Sequence, residues 1–146
     1  FGFQALVLAL GGTIVKDVPN AEVGTYELET TDSAKNDPLF SDIPKSFLAQ
    51  LGHQDQARVL PLTVEHLARS EATEYQALRV SNKPIYATQF HPELTYLDNK
   101  KRFQRYMPIY GKLFGEEEAK VRMASHRPSP HCNMLLQRFQ EIFVQK

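Results

Sequence analysis

The chain has 146 residues, 42% of them hydrophobic, which is enough for one domain with its own core. Its 17 Lys and Arg balance 17 Asp and Glu, so net charge gives no reason to expect a nucleic acid or an anionic membrane as partner. The apolar run Ala5 to Leu10 is far short of a membrane span, and Phe1 to Leu10 has neither the basic flank nor the small-residue cleavage site of a secretory signal.

Phe3 to Leu10 is apolar on nearly every side, which predicts a buried helix stopped by Gly11-Gly12. Thr13 to Val18 reads as a short strand closed by Pro19-Asn20. In Gly24 to Thr31, Tyr26, Leu28 and Thr30 alternate with Thr25, Glu27 and Glu29, a strand with one wet face. Asp32 to Pro44 reads as a polar loop with one helical turn around Pro38 to Phe40. Ser46 to Leu51 and Ala57 to Leu60 read as strands flanking "GHQDQ". Thr63 to Ser70 fits helix or strand. Tyr75 to Val80 and Ile85 to Phe90 read as strands of a hairpin-like pair turning at Asn82-Lys83. Asn99 to Phe114 carries Phe103, Tyr106, Met107, Tyr110, Leu113 and Phe114 at helical spacing, a stripe read as core, and Pro108 should kink or split that helix. Glu116 to Pro130 reads as a loop or linker. His131 to Val144 reads as an amphipathic helix with Leu135, Leu136, Phe139, Ile142 and Phe143 on one stripe. Residues 1–115 thus form one domain portion, and 116–146 a linker and helix packed on it. There is no internal repeat and no Gly-rich phosphate loop.

The sharpest local signal is "TQFHPE", Thr88 to Glu93. A strand ends and a histidine stands at its carboxyl edge, where open α/β sheets bind ligands. Pro92 keeps His91 out of the helical region. His91 and Glu93 lie two apart in extended chain and can point the same way. A carboxylate beside an imidazole holds its tautomer and supports its charged form. That is half of a nucleophile–base–orienter triad. By spacing alone, a solvated histidine with a capping glutamate is the commoner meaning of this pattern. A nucleophile is harder to find. Cys132, the only cysteine, lies beyond a Pro-rich loop and opens a helix, where a small buried residue is the ordinary reading. Its solitude excludes an internal disulfide and fits a reducing, cytoplasmic setting. No serine lies in a G-x-S-x-G setting. "FGFQ" before an apolar helix, however, is what trails a nucleophile elbow, a sharp strand-to-helix turn with Gly for close packing.

With these residues together, the chain resembles the glutaminase domain of class I, triad-type glutamine amidotransferases, close to the domain found in GMP synthetases. "FGFQ" matches the last four positions of that family's G-x-C-x-G-x-Q elbow, and "TQFHPE" its second signature. "LGHQDQ", Leu51 to Gln56, resembles its H-x-D segment, and "AEVGTYELETT" its E-x-G stretch before a strand. The resemblance runs from Phe1 to about Leu94. It implies a three-layer, flavodoxin-like α/β fold whose N-terminal part is missing from this chain, with the catalytic cysteine directly before Phe1. It implies hydrolysis of the glutamine side-chain amide, with His91 as base, Glu93 orienting it, and no metal or cofactor. Phe1 would lend its amide to the oxyanion hole, Gly2 would belong to the elbow, and Gln4 would line the glutamine pocket. His53 and Asp55 fit either the pocket rim, or a partner contact, or a polar turn between strands. His66, His126 and His131 read as surface residues. Ammonia would pass to an acceptor domain or a synthetase partner, and neither nucleic acid nor membrane is expected. The 146 residues alone are expected to be inactive. Two alternatives remain open: a γ-glutamyl peptidase or related hydrolase on the same scaffold, and a non-catalytic member of the family.

Overall fold

A computed structural model describes residues 1–145. The spine of the molecule is strand β2 (Glu22–Thr30), which comes after β1 (Thr13–Lys16). It pairs antiparallel with β3 (Ser46–His53), from Glu22 opposite His53 to Glu29 opposite Ser46. At its far end it meets β5 (Val64–Arg69), so the Thr63 to Ser70 ambiguity resolves as strand. β4 (Asp55–Val59) leaves β3 after the single residue Gln54 and pairs with β1 in a separate two-stranded sheet. β6 (Ala77–Val80) and β7 (Tyr86–Thr88) form the expected hairpin and complete a five-stranded sheet ordered β3-β2-β5-β6-β7. Asn82 turns that hairpin with φ of 60°.

Every strand pair among the described residues is antiparallel. Helices still cover both faces of the sheet, as an α/β fold of this kind requires. Parity shows it on β2. Leu28 faces the main core with Phe40, Phe47, Leu67, Phe90 and Leu135, while Val23 packs with Phe103 and Ala119. The predicted alternation therefore holds from Tyr26 to Thr30, where Glu27 and Glu29 are exposed, and fails from Glu22 to Thr25, which are all buried. Gly24 sits there with φ of +133°, a conformation that suits glycine alone.

Five helices complete the described chain. α1 (Gly2–Ala9) stops at Gly11-Gly12 as expected; a Cβ on Gly12 would lie 2.6 Å from Val7 Cγ1 and 2.7 Å from the Val59 carbonyl. The helix is not buried all round: Phe3 and Val7 face the core, while Leu8 is 56% exposed. α2 (Tyr96–Arg105) and α3 (Met107–Phe114) are the predicted helix split before Pro108, with Thr95 capping α2 through the Asp98 amide at 3.2 Å. Of that stripe only Phe103 is core; Tyr106 is 41% exposed and α3 has no fully buried residue. Glu116 to Pro130 is not a linker. Its first part is α4 (Glu116–Ala124), whose three leading glutamates suit a helix N-terminus and whose Glu118 pairs with Arg122 at 2.7 Å. The helical turn expected at Pro38 to Phe40 lies instead at Ser33–Asn36. α5 (Pro130–Phe143) seats Leu135, Phe139 and Phe143 on the core, leaving Leu136 and Ile142 exposed.

Candidate active site

β7 ends at Thr88, and Phe90 anchors the next segment by packing edge-on against Phe47, centroids 5.9 Å apart. His91 then emerges from the sheet. Its amide donates to the Gln50 carbonyl of β3 at 2.9 Å, and its own carbonyl accepts from Leu94 at 3.2 Å. His91 Nδ1 donates to Glu93 Oε1 at 2.7 Å, because the carboxylate can only accept. The proton is thereby held on Nδ1, leaving the Nε2 lone pair without a partner among the described residues. His91 is 28% exposed and Glu93 53%, so the pair is open to a ligand.

This pair borders an open cleft of about 1060 Å³. The start of α1 forms one wall with Phe1, Gly2 and Gln4, the end of β3 and start of β4 another with His53 and Asp55, and β7 with His91 and Glu93 a third. All residues assigned to the site from sequence therefore gather at one cleft, from positions as distant as Phe1 and Glu93. Phe1 is the N-cap of α1, its carbonyl accepting from Ala5 at 3.0 Å, so the positive end of that helix opens here. The tight packing expected at Gly2 is not seen: a Cβ there would meet nothing within 4 Å among the described residues.

A buried polar chain backs the cleft. Gln4 Nε2 donates to Gln89 Oε1 at 2.6 Å, and Gln89 Nε2 donates to the Asp55 carbonyl at 2.9 Å and to His53 Nδ1 at 3.5 Å. His53 Nε2 lies 3.2 Å from Glu22 Oε2, which also accepts from Gln76 Nε2 at 2.6 Å. His53 is thus no member of a polar hairpin turn. It ends β3, buried, and the chain crosses to the other sheet through Gln54. Asp55 faces solvent. Gln4 Oε1 is buried without a hydrogen bond.

Sequence reading missed Glu22, Gln50 and Gln89 as site-building residues. Gln89 had a findable signal, since it lies two residues before His91 on an extended segment. Gln50 is fully buried and accepts from Thr25 Oγ1 and Asn99 Nδ2, both at 3.1 Å, a role set by packing alone. Cys132 lies in the main core away from the cleft, and burial pushes its thiol up to about 12. His131 is exposed and His66 half-buried, but His126 is not a surface residue. It packs edge-on against Phe103 at 5.5 Å, and burial lowers its basicity. No helix among the described residues is long and apolar enough to cross a membrane. No group of three or more His, Cys, Asp or Glu among them could hold a metal ion.

Comparison with known proteins agrees with this geometry. Residues 1–106 match the family described as glutamine amidotransferase class-I. One subunit of a glutamine-hydrolyzing GMP synthase from Methanocaldococcus jannaschii is 35% identical over 97 residues, 66% of this chain and 50% of that protein. The chain thus spans about half the length of that relative. A crystal structure from Thermoplasma acidophilum, described as a GMP synthase subunit, superimposes with a TM-score of 0.57 at 29% identity, over 63% of this chain and 44% of that one. A glutamine amidotransferase from Thermotoga maritima shares the fold with a TM-score of 0.71 at 20% identity, over 98% of this chain and 59% of that one. With its sequence motifs gathered at one cleft and its first 106 residues matching the family, this chain belongs to the class-I glutamine amidotransferases.

Proposed function

We propose that the protein releases ammonia from glutamine through a Cys-His-Glu triad, with the cysteine directly before Phe1. The observation that carries this reading is the His91–Glu93 contact of 2.7 Å, which leaves Nε2 free on a cleft shared with the start of α1. A thiol at that helix start gains thiolate character from the helix dipole. His91 Nε2 takes the thiol proton as sulfur attacks the side-chain amide carbon, then gives that proton to the departing nitrogen. Ammonia leaves, a thioester remains, and water activated by the same nitrogen cleaves it to glutamate. The Phe1 amide is one donor to the oxyanion. Gln4, fixed through Gln89, lines the glutamine pocket, and the buried His53–Glu22 pair fixes the wall behind it.

The relatives are named as one subunit of a GMP synthase, which supports an ammonia acceptor on a separate synthetase subunit. Asp55, exposed at the rim, is the residue best placed to meet that partner. The test is ammonia release from glutamine by the protein carrying its residues upstream of Phe1, with and without His91→Asn and Glu93→Gln. Turnover lost in the first and lowered less in the second supports the triad. Unaltered kcat in a folded His91→Asn protein, or faster partner-independent turnover of γ-glutamyl peptides than of glutamine, overturns the reading. Residues 1–146 alone are expected to show no turnover.

A further inference from the structure

The His91–Glu93 contact has a weakness that the rest of the structure answers. Glu93 is 53% exposed, and its side chain has no other hydrogen-bond partner among the described residues. An exposed carboxylate–imidazole contact is too weak to hold a loop by itself. Something else must fix the backbone that carries Glu93.

Asn133, on the first turn of α5, meets that need. Its amide nitrogen donates to the Pro92 carbonyl at 2.9 Å and to the Leu94 carbonyl at 2.8 Å, one on each side of Glu93. Both carbonyls can only accept, so the orientation of the amide is fixed and both of its N–H groups are used. The Asn133 oxygen accepts from Ser129 Oγ at 3.3 Å, and Ser129, 1% exposed, accepts from Gln50 Nε2 at 3.1 Å. The Gln50 carbonyl then accepts the His91 amide at 2.9 Å. The result is a closed hydrogen-bonded ring, His91–Gln50–Ser129–Asn133–Pro92, around the His-Pro-Glu turn. Asn133 and Ser129 both lie beyond the residues that match the family.

We infer that Asn133 is a positioning residue: through the carbonyls flanking Glu93 it holds that carboxylate on His91 Nδ1 and so selects the tautomer with Nε2 free. Its catalytic consequence rests on the triad reading, but its structural consequence does not. Two readouts are therefore taken on the protein carrying its upstream residues, wild type and Asn133→Leu, with Asn133→Asp as a second variant of the same shape should the first not fold. The first is the nitrogen-15 NMR signature of the His91 ring, which distinguishes a proton on Nδ1 from one on Nε2. The second is kcat and KM for glutamine, with the thermal midpoint as control.

The expected result is an Nδ1-protonated His91 in the wild type and a mixture in the variant. With it kcat falls on the order of tenfold, since small misplacement of a reacting group is costly, while KM stays within about twofold. An unaltered tautomer in a folded variant overturns the inference, whatever happens to the rate. A loss of kcat that merely tracks a lowered thermal midpoint overturns it too. A shifted tautomer in a protein that never releases ammonia from glutamine leaves the positioning role standing and overturns the triad reading instead.

Discussion

His91 and His53 each face a carboxylate across the same cleft, and the two pairs are built in opposite ways. His91 finds Glu93 two residues along its own strand extension, in the open, with the proton on Nδ1 and Nε2 free. His53 finds Glu22 on the neighbouring strand, opposite it in register, with side chains 7% and 3% exposed. There Gln89 occupies Nδ1 and Glu22 faces Nε2, so both ring nitrogens are engaged. A base in catalysis needs one unengaged nitrogen within reach of substrate. A buried, doubly engaged imidazole is better suited to fixing one strand against another. The same two side-chain types thus divide into chemistry and scaffold according to burial and partner count.

The largest expected effect breaks the open pair. His91→Asn should lower kcat by about 10²–10⁴ while the thermal midpoint barely moves, measured on the protein carrying its upstream residues. Breaking the buried pair should do the reverse. Glu22→Ala removes the partner of His53 and Gln76, and the loss expected in denaturant unfolding is about 3 kcal/mol. If that variant lost activity with unchanged stability, the division between the pairs would be wrong. Asp55→Ala tests the exposed rim: stability should stay within about 0.5 kcal/mol, and activation by a synthetase partner should fall more than basal turnover.

A third imidazole sharpens the contrast because it has no carboxylate. His126 meets the Arg122 and Met123 carbonyls, and burial lowers its basicity. The unfolded chain therefore binds more protons at this site as pH drops below about 6.5, and stability should decline there. His126→Phe should flatten that slope in unfolding measured from pH 7 to 5. The smallest effect is expected at Cys132, whose thiol stays protonated in the core. Cys132→Ser should leave ammonia release within about twofold, and the native thiol should resist alkylation until the protein unfolds.

How much of this was legible depends on how local each feature is. His91 and Glu93 are two residues apart, so spacing alone placed them together. The Gly11-Gly12 stop and the Asn82-Lys83 turn were equally local. His53 and Glu22 meet through strand register, which no single segment encodes, so the motif was visible and its burial was not. Burial of α1 was overread because apolar residues all round say nothing of which side packs. α4 was overlooked because charge and the Pro/Ser stretch after it resemble a linker, whereas Ala119 and Arg122 bind it to β2 and its neighbours. Arg122 sits 4.1 Å over the Phe114 ring and donates to Tyr26 Oη at 2.8 Å.

The ring around the His-Pro-Glu turn also bears on how the chain folds. Its bonds join residues 79 apart at Gln50–Ser129 and 41 apart at Asn133–Pro92. Contacts of such separation must overcome loop-closure entropy before they contribute, and they form slowly. The β2–β3 ladder and the β6–β7 hairpin involve shorter closures and should be complete first. On refolding, far-ultraviolet circular dichroism should thus recover ahead of the His91 tautomer signal, with docking of α5 as the step between them.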